Sequence, residues 1–313
     1  DYSGSCPALL LEPQRTNLIE QSEYIGSSDW AGGGTTRDVV ITQTSEINPE
    51  GSAICWKMQG TSTNNQLANN STTTSGTTIT NSVYIKRVSG TGDVYLRDVN
   101  NNGYLFSLSV ADGWKRIDAT ATATSATARF YLNLVDYTDE ILVWGAQQEV
   151  GSYPTSYIPT YGSSVTRSGD NSGAIDVSSL GVTTGYTLFY ELGDFNVAFG
   201  GVWLAQAGGV DRAYQVYGAT AVIKTNSGDA YPFNHGTLGE GTGIKVAVNY
   251  DGTNINVFTN GTKRGTWAAN KTIWDTLTNL DMNLSSVQMV NWKQLLVFPT
   301  ALTDSECIAL TTL

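Results

Sequence analysis

Hydrophobic and polar residues alternate with a period of two along much of this chain. The alternation is clear over residues 83–87 (Val-Tyr-Ile-Lys-Arg), 94–97, 104–110 and 128–134. It returns over 186–192, 213–217, 244–250 and 254–259, and the apolar run 201–205 continues the second set of strands. A period of two sends successive side chains to opposite faces of a strand, so each run predicts a half-buried β-strand. Polar turn signals separate the runs. Asn100-Asn101-Asn102-Gly103 and Asp112-Gly113 predict turns in the first half. Asp251-Gly252 between two alternating runs predicts a hairpin, and Asn260-Gly261 ends its second strand. Strands about 8–12 residues apart with polar turns predict sandwiches or jelly rolls. One helix is predicted near the end, where Thr303 and Glu306 have the spacing of a capping box and the helix runs through Ala309 and Leu310.

The apolar run Ile141-Leu142-Val143-Trp144 gives way to a Pro- and Tyr-rich stretch. Pro154 and Pro159 stiffen that stretch and disfavour helix before them. This predicts a module over 1–153, a linker over 154–167 and a second module over 168–313. The length of 313 residues suits two domains. Residues 59–82 are rich in Thr, Ser and Asn, and predict an exposed loop with an edge strand near 76–80.

Composition strengthens the all-β reading and removes some functions. Charged residues are 14% of the chain, while Gly, Thr, Ser and Asn suit strands and turns. A net charge of −11 disfavours nucleic acid and anionic membrane surfaces as partners. No segment approaches the ~18 consecutive apolar residues of a membrane helix. The first residues show neither the basic region nor the apolar core of a secretory leader. Because the chain starts at Asp1, a processed or longer parent is expected, with an attachment region before that residue. Cys6, Cys55 and Cys307 are an odd set, expected mainly as buried thiols, with a Cys6–Cys55 bridge left open.

Little in the sequence points to catalysis. His235 is the one histidine, in a loop-like stretch without a nucleophile–base pattern, so a loop position is expected. Paired carboxylates could cleave glycosidic bonds, yet no Glu is followed two residues later by Asp. Asp136, Asp139 and Glu140 are candidate oxygen ligands for structural Ca²⁺, with a solvated acidic turn as the alternative. Sugar recognition needs aromatic platforms beside hydrogen-bonding side chains. The candidates are Trp30 in the first module, and Asp211, Arg212, Tyr214, Tyr231, Asn234, His235 and Trp267 in the second. Trp114 and Trp144 sit in strand contexts and are expected in the core.

Several separated motifs carry a resemblance. Residues 6–18 (Cys-Pro-Ala-Leu-Leu-Leu-Glu-Pro-Gln-Arg-Thr-Asn-Leu), 82–86, 113–117 and 144–147 (Trp-Gly-Ala-Gln), in that order, resemble a module of bacteriophage tail fibres and other virion appendages. That module is similar to carbohydrate-binding modules with a galactose-binding-like jelly roll. Residues 295–306 resemble the last strand and helix of a concanavalin-A-like, or laminin-G-like, domain. The resemblance implies an all-β protein: two β-sandwich or jelly-roll domains in tandem with a short C-terminal helix. It implies a non-catalytic tail fibre or receptor-binding protein on the virion that recognises host surface polysaccharide. It further implies a homotrimer joined to other virion proteins through a region before Asp1, and the structural Ca²⁺ such modules often hold. A capsid fibre or decoration protein is an alternative, and a carbohydrate-active enzyme or its binding module is a second.

Overall fold

The computed structural model describes residues 9–30, 39–61, 65–170, 174–182, 184–195, 201–207, 210–217, 220–225, 230–234, 243–269, 274–275, 277–281, 283–284 and 290–312. Within 194–234 and 281–290, and at Leu9 and Ala174, the backbone alone is described. The protein is all-β with a short C-terminal helix. It divides into two compact units, Arg15–Arg167 and Asp1–Gln14 joined with Ser168–Leu313.

This division corrects the expected one at both ends. Strand β1 (Leu9–Leu11) belongs to the second unit, because it pairs antiparallel with residues 290–292. The first unit starts at β2 (Arg15–Asn17). It continues with β3 (Val39–Thr44), β4 (Cys55–Gly60), β5 (Gln66–Thr72) and β6 (Thr78–Ser89). Then follow β7 (Val94–Arg97), β8 (Gly103–Phe106), β9 (Lys115–Thr122), β10 (Thr127–Leu134), β11 (Glu140–Val150) and β12 (Val165–Arg167). A five-stranded sheet has the order β3-β4-β11-β6-β9, and a four-stranded sheet the order β5-β10-β7-β8. The predicted alternation explains the core between them. Val83, Ile85, Ile117, Ile141 and Val143 from the first sheet share a buried cluster with Leu67, Val94, Leu96, Phe130 and Leu132 from the second. The turn between β7 and β8 forms as the Asn-rich run predicts, with Asn101 at φ 76°.

The Pro- and Tyr-rich stretch is docked rather than loose. Between Trp144 and Gln147 the register of β11 against β6 shifts, and Gly145 there has φ 64°. A left-handed residue at a bulge favours glycine and re-aims the side chains after it. Gln147 and Glu149 are fully buried and hold the stretch by hydrogen bonds. The Ile158 amide donates to Gln147 Oε1 at 2.7 Å, and the Thr155 amide and hydroxyl donate to the Glu149 carboxylate at 3.1 and 2.9 Å. Burial pushes the Glu149 carboxyl above its ordinary range, against these hydrogen bonds. Thr155, Ile158 and Thr160 are buried in turn. Prolines exclude helix, but they do not prevent an extended segment from packing.

The second unit carries β13 (Ala174–Asp176), β14 (Tyr186–Phe195), β15 (Gly201–Ala207), β16 (Val210–Tyr217), β17 (Thr220–Thr225) and β18 (Ala230–Asn234). It continues with β19 (Ile244–Tyr250), β20 (Asn254–Thr259), β21 (Thr262–Ala268), β22 (Asn279–Asp281), β23 (Asn283–Leu284) and β24 (Val290–Phe298). The order β1-β24-β14-β19-β20-β21 makes one sheet, and β13-β22-β15-β16-β17-β18 the main path of the other. The hairpin across Asp251-Gly252 forms as predicted. Alternation again sorts the side chains. Leu188, Tyr190, Val246 and Val248 join a large core cluster, while Phe189, Ala247 and Phe258 form another cluster with Cys307. Cys307 belongs to helix α1 (Asp304–Thr311). The capping box is present: the Glu306 amide donates to Thr303 Oγ1 at 3.3 Å, and the Thr303 amide donates to Glu306 Oε2 at 2.7 Å. Cys55 and Cys307 are buried free thiols, while Cys6 of the open Cys6–Cys55 pairing lies outside the described residues.

Candidate functional site

Residues 18–29 and the edge strand β5 shape a groove in the first unit. Its lining includes Glu20, Asp29, Asn69, Asn70, Thr72 and Thr127, and its volume is about 590 Å³. β5 is an edge strand paired on one side to β10, with Asn70 opposite Arg129 and Thr72 opposite Thr127. Leu67 faces the core, while Asn70 and Thr72 are exposed. The Asn69 side chain donates through Nδ2 to the Asp29 carbonyl oxygen at 3.2 Å, tying the strand to the turn that carries Asp29. The groove thus combines carboxylates, amides and hydroxyls on a fixed backbone. This site was only partly foreseeable: its amide and hydroxyl run, Asn69-Asn70-Ser71-Thr72, lies in the Thr-, Ser- and Asn-rich segment.

Trp30 occupies a different role from the expected exposed platform. It is fully buried, its indole N–H donates to the Gln21 carbonyl oxygen at 2.8 Å, and its ring meets Phe130 edge-on at 5.6 Å. Trp30 therefore anchors the turn that presents Asp29. A large aromatic next to glycines looks loop-like in sequence, but burying its apolar surface wins. Trp267 is likewise a packing residue, set against the core cluster of the second unit and lying over Gly265.

Asp211, Arg212 and Tyr214 fall on β16, and Tyr231 and Asn234 on β18. Both strands pair with β17, where Tyr214 and Tyr231 stand in register with Ile223. His235 lies outside the described residues. Trp144 is buried as expected, while Trp114 is partly buried against it and donates its indole N–H to the Ile47 carbonyl oxygen at 2.9 Å.

The proposed calcium ligands have separate partners. Asp139 forms a buried ion pair with Arg87, 2.7 Å from Nη1. Asp136 accepts from the Thr138 amide and hydroxyl, each at 2.8 Å, and these bonds hold its carboxyl below its ordinary value. Glu140 pairs with Lys57 at 3.2 Å. Among the described residues, no group of three His, Cys, Asp or Glu side chains could hold a metal ion. A guanidinium already neutralises the one buried carboxylate, so the calcium expectation is corrected.

No family model matches the chain, and no curated protein matches it. Solved structures give partial likenesses. A carbohydrate-binding module, CBM40, of the Ruminococcus gnavus IT-sialidase is 13% identical, with 46% of this chain and 95% of that one covered and a TM-score of 0.37. The same module bound to α2,3-sialyllactose is 14% identical over 46% and 94%, also at 0.37. Domains LG4-5 of the mouse laminin α1 chain are 11% identical over 79% and 93%, at 0.30.

Proposed function

We propose that this chain is a non-catalytic glycan-binding protein of a virion appendage, a tail fibre or receptor-binding protein that recognises host surface polysaccharide. The groove beside β5 carries the reading. It offers hydrogen-bond acceptors and donors at fixed positions, which is what hydroxyl-rich ligands need. The virion setting rests on the ordered motifs at 6–18, 82–86, 113–117 and 144–147. A homotrimer would let weak sites act together through effective concentration.

The test is binding of purified host polysaccharide and neutral oligosaccharides by calorimetry, with Asn70→Ala and Asp29→Ala as variants. Saturable binding that falls about tenfold in either variant, on the loss of one or two hydrogen bonds, supports the reading. Turnover of the polysaccharide, or binding indifferent to both substitutions, refutes it. Electron microscopy separates a tail tip from a capsid vertex, and mass measurement on the full-length protein tests the trimer.

A further inference from the structure

A further cluster in the first unit lies on residues that do not line the groove. Tyr161 is 77% exposed and Tyr24 53% exposed, unusually open for large aromatic side chains. Neither is on a loose segment. The Ser22 amide donates to Thr160 Oγ1 and the Thr160 amide donates to Ser22 Oγ, both at 2.9 Å, and the Gly162 amide donates to the Glu20 carbonyl oxygen at 2.7 Å. These bonds clamp the backbone on both sides of Tyr161 against residues 20–22. Tyr24 rests on Trp56, with ring centroids 5.2 Å apart. Trp56 is itself fixed, because its indole N–H donates to the Glu23 carbonyl oxygen at 3.0 Å. Gly26 leaves room for that indole, which a Cβ there would meet at 2.5 Å.

Two carboxylates share this surface. The Tyr157 hydroxyl donates to Glu23 Oε1 at 2.6 Å, which orients that side chain. The Glu50 amide is held by the Asn48 side chain at 3.0 Å. Both carboxylates act on Tyr161, whose phenol is pushed up by burial and then by Glu23 and Glu50. The Glu50 carboxyl is itself raised by burial and by repulsion from Glu23. Among the described residues, neither Glu23 nor Glu50 forms an ion pair. The cluster therefore sets two aromatic side chains, on backbone held in place, beside two carboxylates that no cation among the described residues neutralises.

We propose that Tyr24, Tyr161, Glu23 and Glu50 form a binding site for an organic ammonium group carried on a cell-surface polymer. An ammonium held against aromatic faces gains from the ring quadrupole, and carboxylates add Coulomb attraction. Neither feature favours an anionic or an N-acetylated sugar. The ammonium can come from a deacetylated amino sugar or from a choline substituent, and the two sources need separate probes.

The experiment titrates the whole chain with glucosamine oligomers, with their N-acetylated counterparts and with phosphocholine, following tryptophan fluorescence and heat. Saturable binding of either ammonium probe is expected, together with no binding of the N-acetylated oligomer. Tyr161→Ala and Glu50→Gln should each weaken that binding about tenfold, the size of a good cation–π or charge contribution. Both positions are exposed, so unchanged melting temperatures keep the comparison clean. Preference for glucosamine oligomers assigns the amino sugar, and preference for phosphocholine assigns the choline. Absence of saturable binding for both ammonium probes overturns the proposal, as does binding that both variants leave intact. Asn70→Ala should leave ammonium binding unchanged, so failure here and failure of the groove remain distinguishable.

Discussion

Removing Asp139 should unfold the first unit more easily than any surface change. Arg87 and Asp139 are each 1% exposed, and among the described residues the guanidinium's other partners are carbonyl oxygens. Arg87 Nε donates to the Leu108 oxygen at 3.0 Å, Nη1 to the Ser89 oxygen at 3.2 Å, and Nη2 to the Gly92 oxygen. In Asp139→Ala those neutral acceptors remain, while the compensating charge is lost. Stranding one buried partner of such a pair costs about 3–5 kcal/mol, and the surviving carbonyl bonds place this case near 3. For a domain of this size, about 3 kcal/mol lowers the melting temperature by roughly 6–12 °C. Urea melts followed by hydrogen exchange on peptides from β6 and β11 localise the loss to the first unit. The double change Arg87→Met with Asp139→Leu should recover most of it, because no charge is then left buried. A loss below about 1 kcal/mol in Asp139→Ala, or a double variant as unstable as the sum of the single ones, would refute the reasoning. Gly90 offers an independent route: with φ 85° and a Cβ position that collides with the Asp139 carboxylate, Gly90→Ala should destabilise the same unit.

Three further outcomes are expected. Thr303→Ala removes the cap of α1 and should cost about 1 kcal/mol in thermal unfolding of the second unit. Burial pushes the Asp251 carboxyl up, but hydrogen bonds from Asn254, Thr253 and Asn256 outweigh it and hold it below its ordinary 3.8. The folded state thus binds this proton less readily than the unfolded chain. Its stabilisation is present above pH 3.8 and fades as the pH falls further, and Asp251→Ala should flatten that part of the stability curve. Phe189→Ala should cost about 3–5 kcal/mol by opening a cavity under α1, read in the same melts.

Local physics was the legible part of this chain. The Asp251-Gly252 hairpin, the Asn101 turn and the Thr303–Glu306 cap depend on neighbours within a few residues, and all three form where the sequence places them. Pairings across long separations were not legible. Nothing near Leu9–Leu11 identifies residues 290–292 as its partner, since any free sheet edge satisfies the backbone equally. The docked segment after Trp144 was missed because Thr155 and Thr160 are polar, and polar residues become buried only when partners such as Glu149 and Ser22 satisfy them. The groove stayed hidden for a related reason. Asp29 has no motif of its own, and its position follows from the burial of Trp30 beside it.

The placement of β1 also carries a consequence for how the protein is made and how it can change. Arg15 pairs with Arg167 at the start and finish of the first unit. Beside that crossing, the Glu12 amide donates to the Asp170 carboxylate at 2.9 Å and the Asp170 amide donates to the Glu12 oxygen at 2.8 Å. The first unit is an insertion into the second, entered and left through adjacent strands. During synthesis it can fold as soon as β12 emerges, whereas its host must wait for β24 before β1 has an edge to join. The same geometry makes the insertion a cassette. A shortcut from Gln14 to Ser168 preserves every pairing of the host sheet, so one inserted unit could be exchanged for another without redesigning the rest.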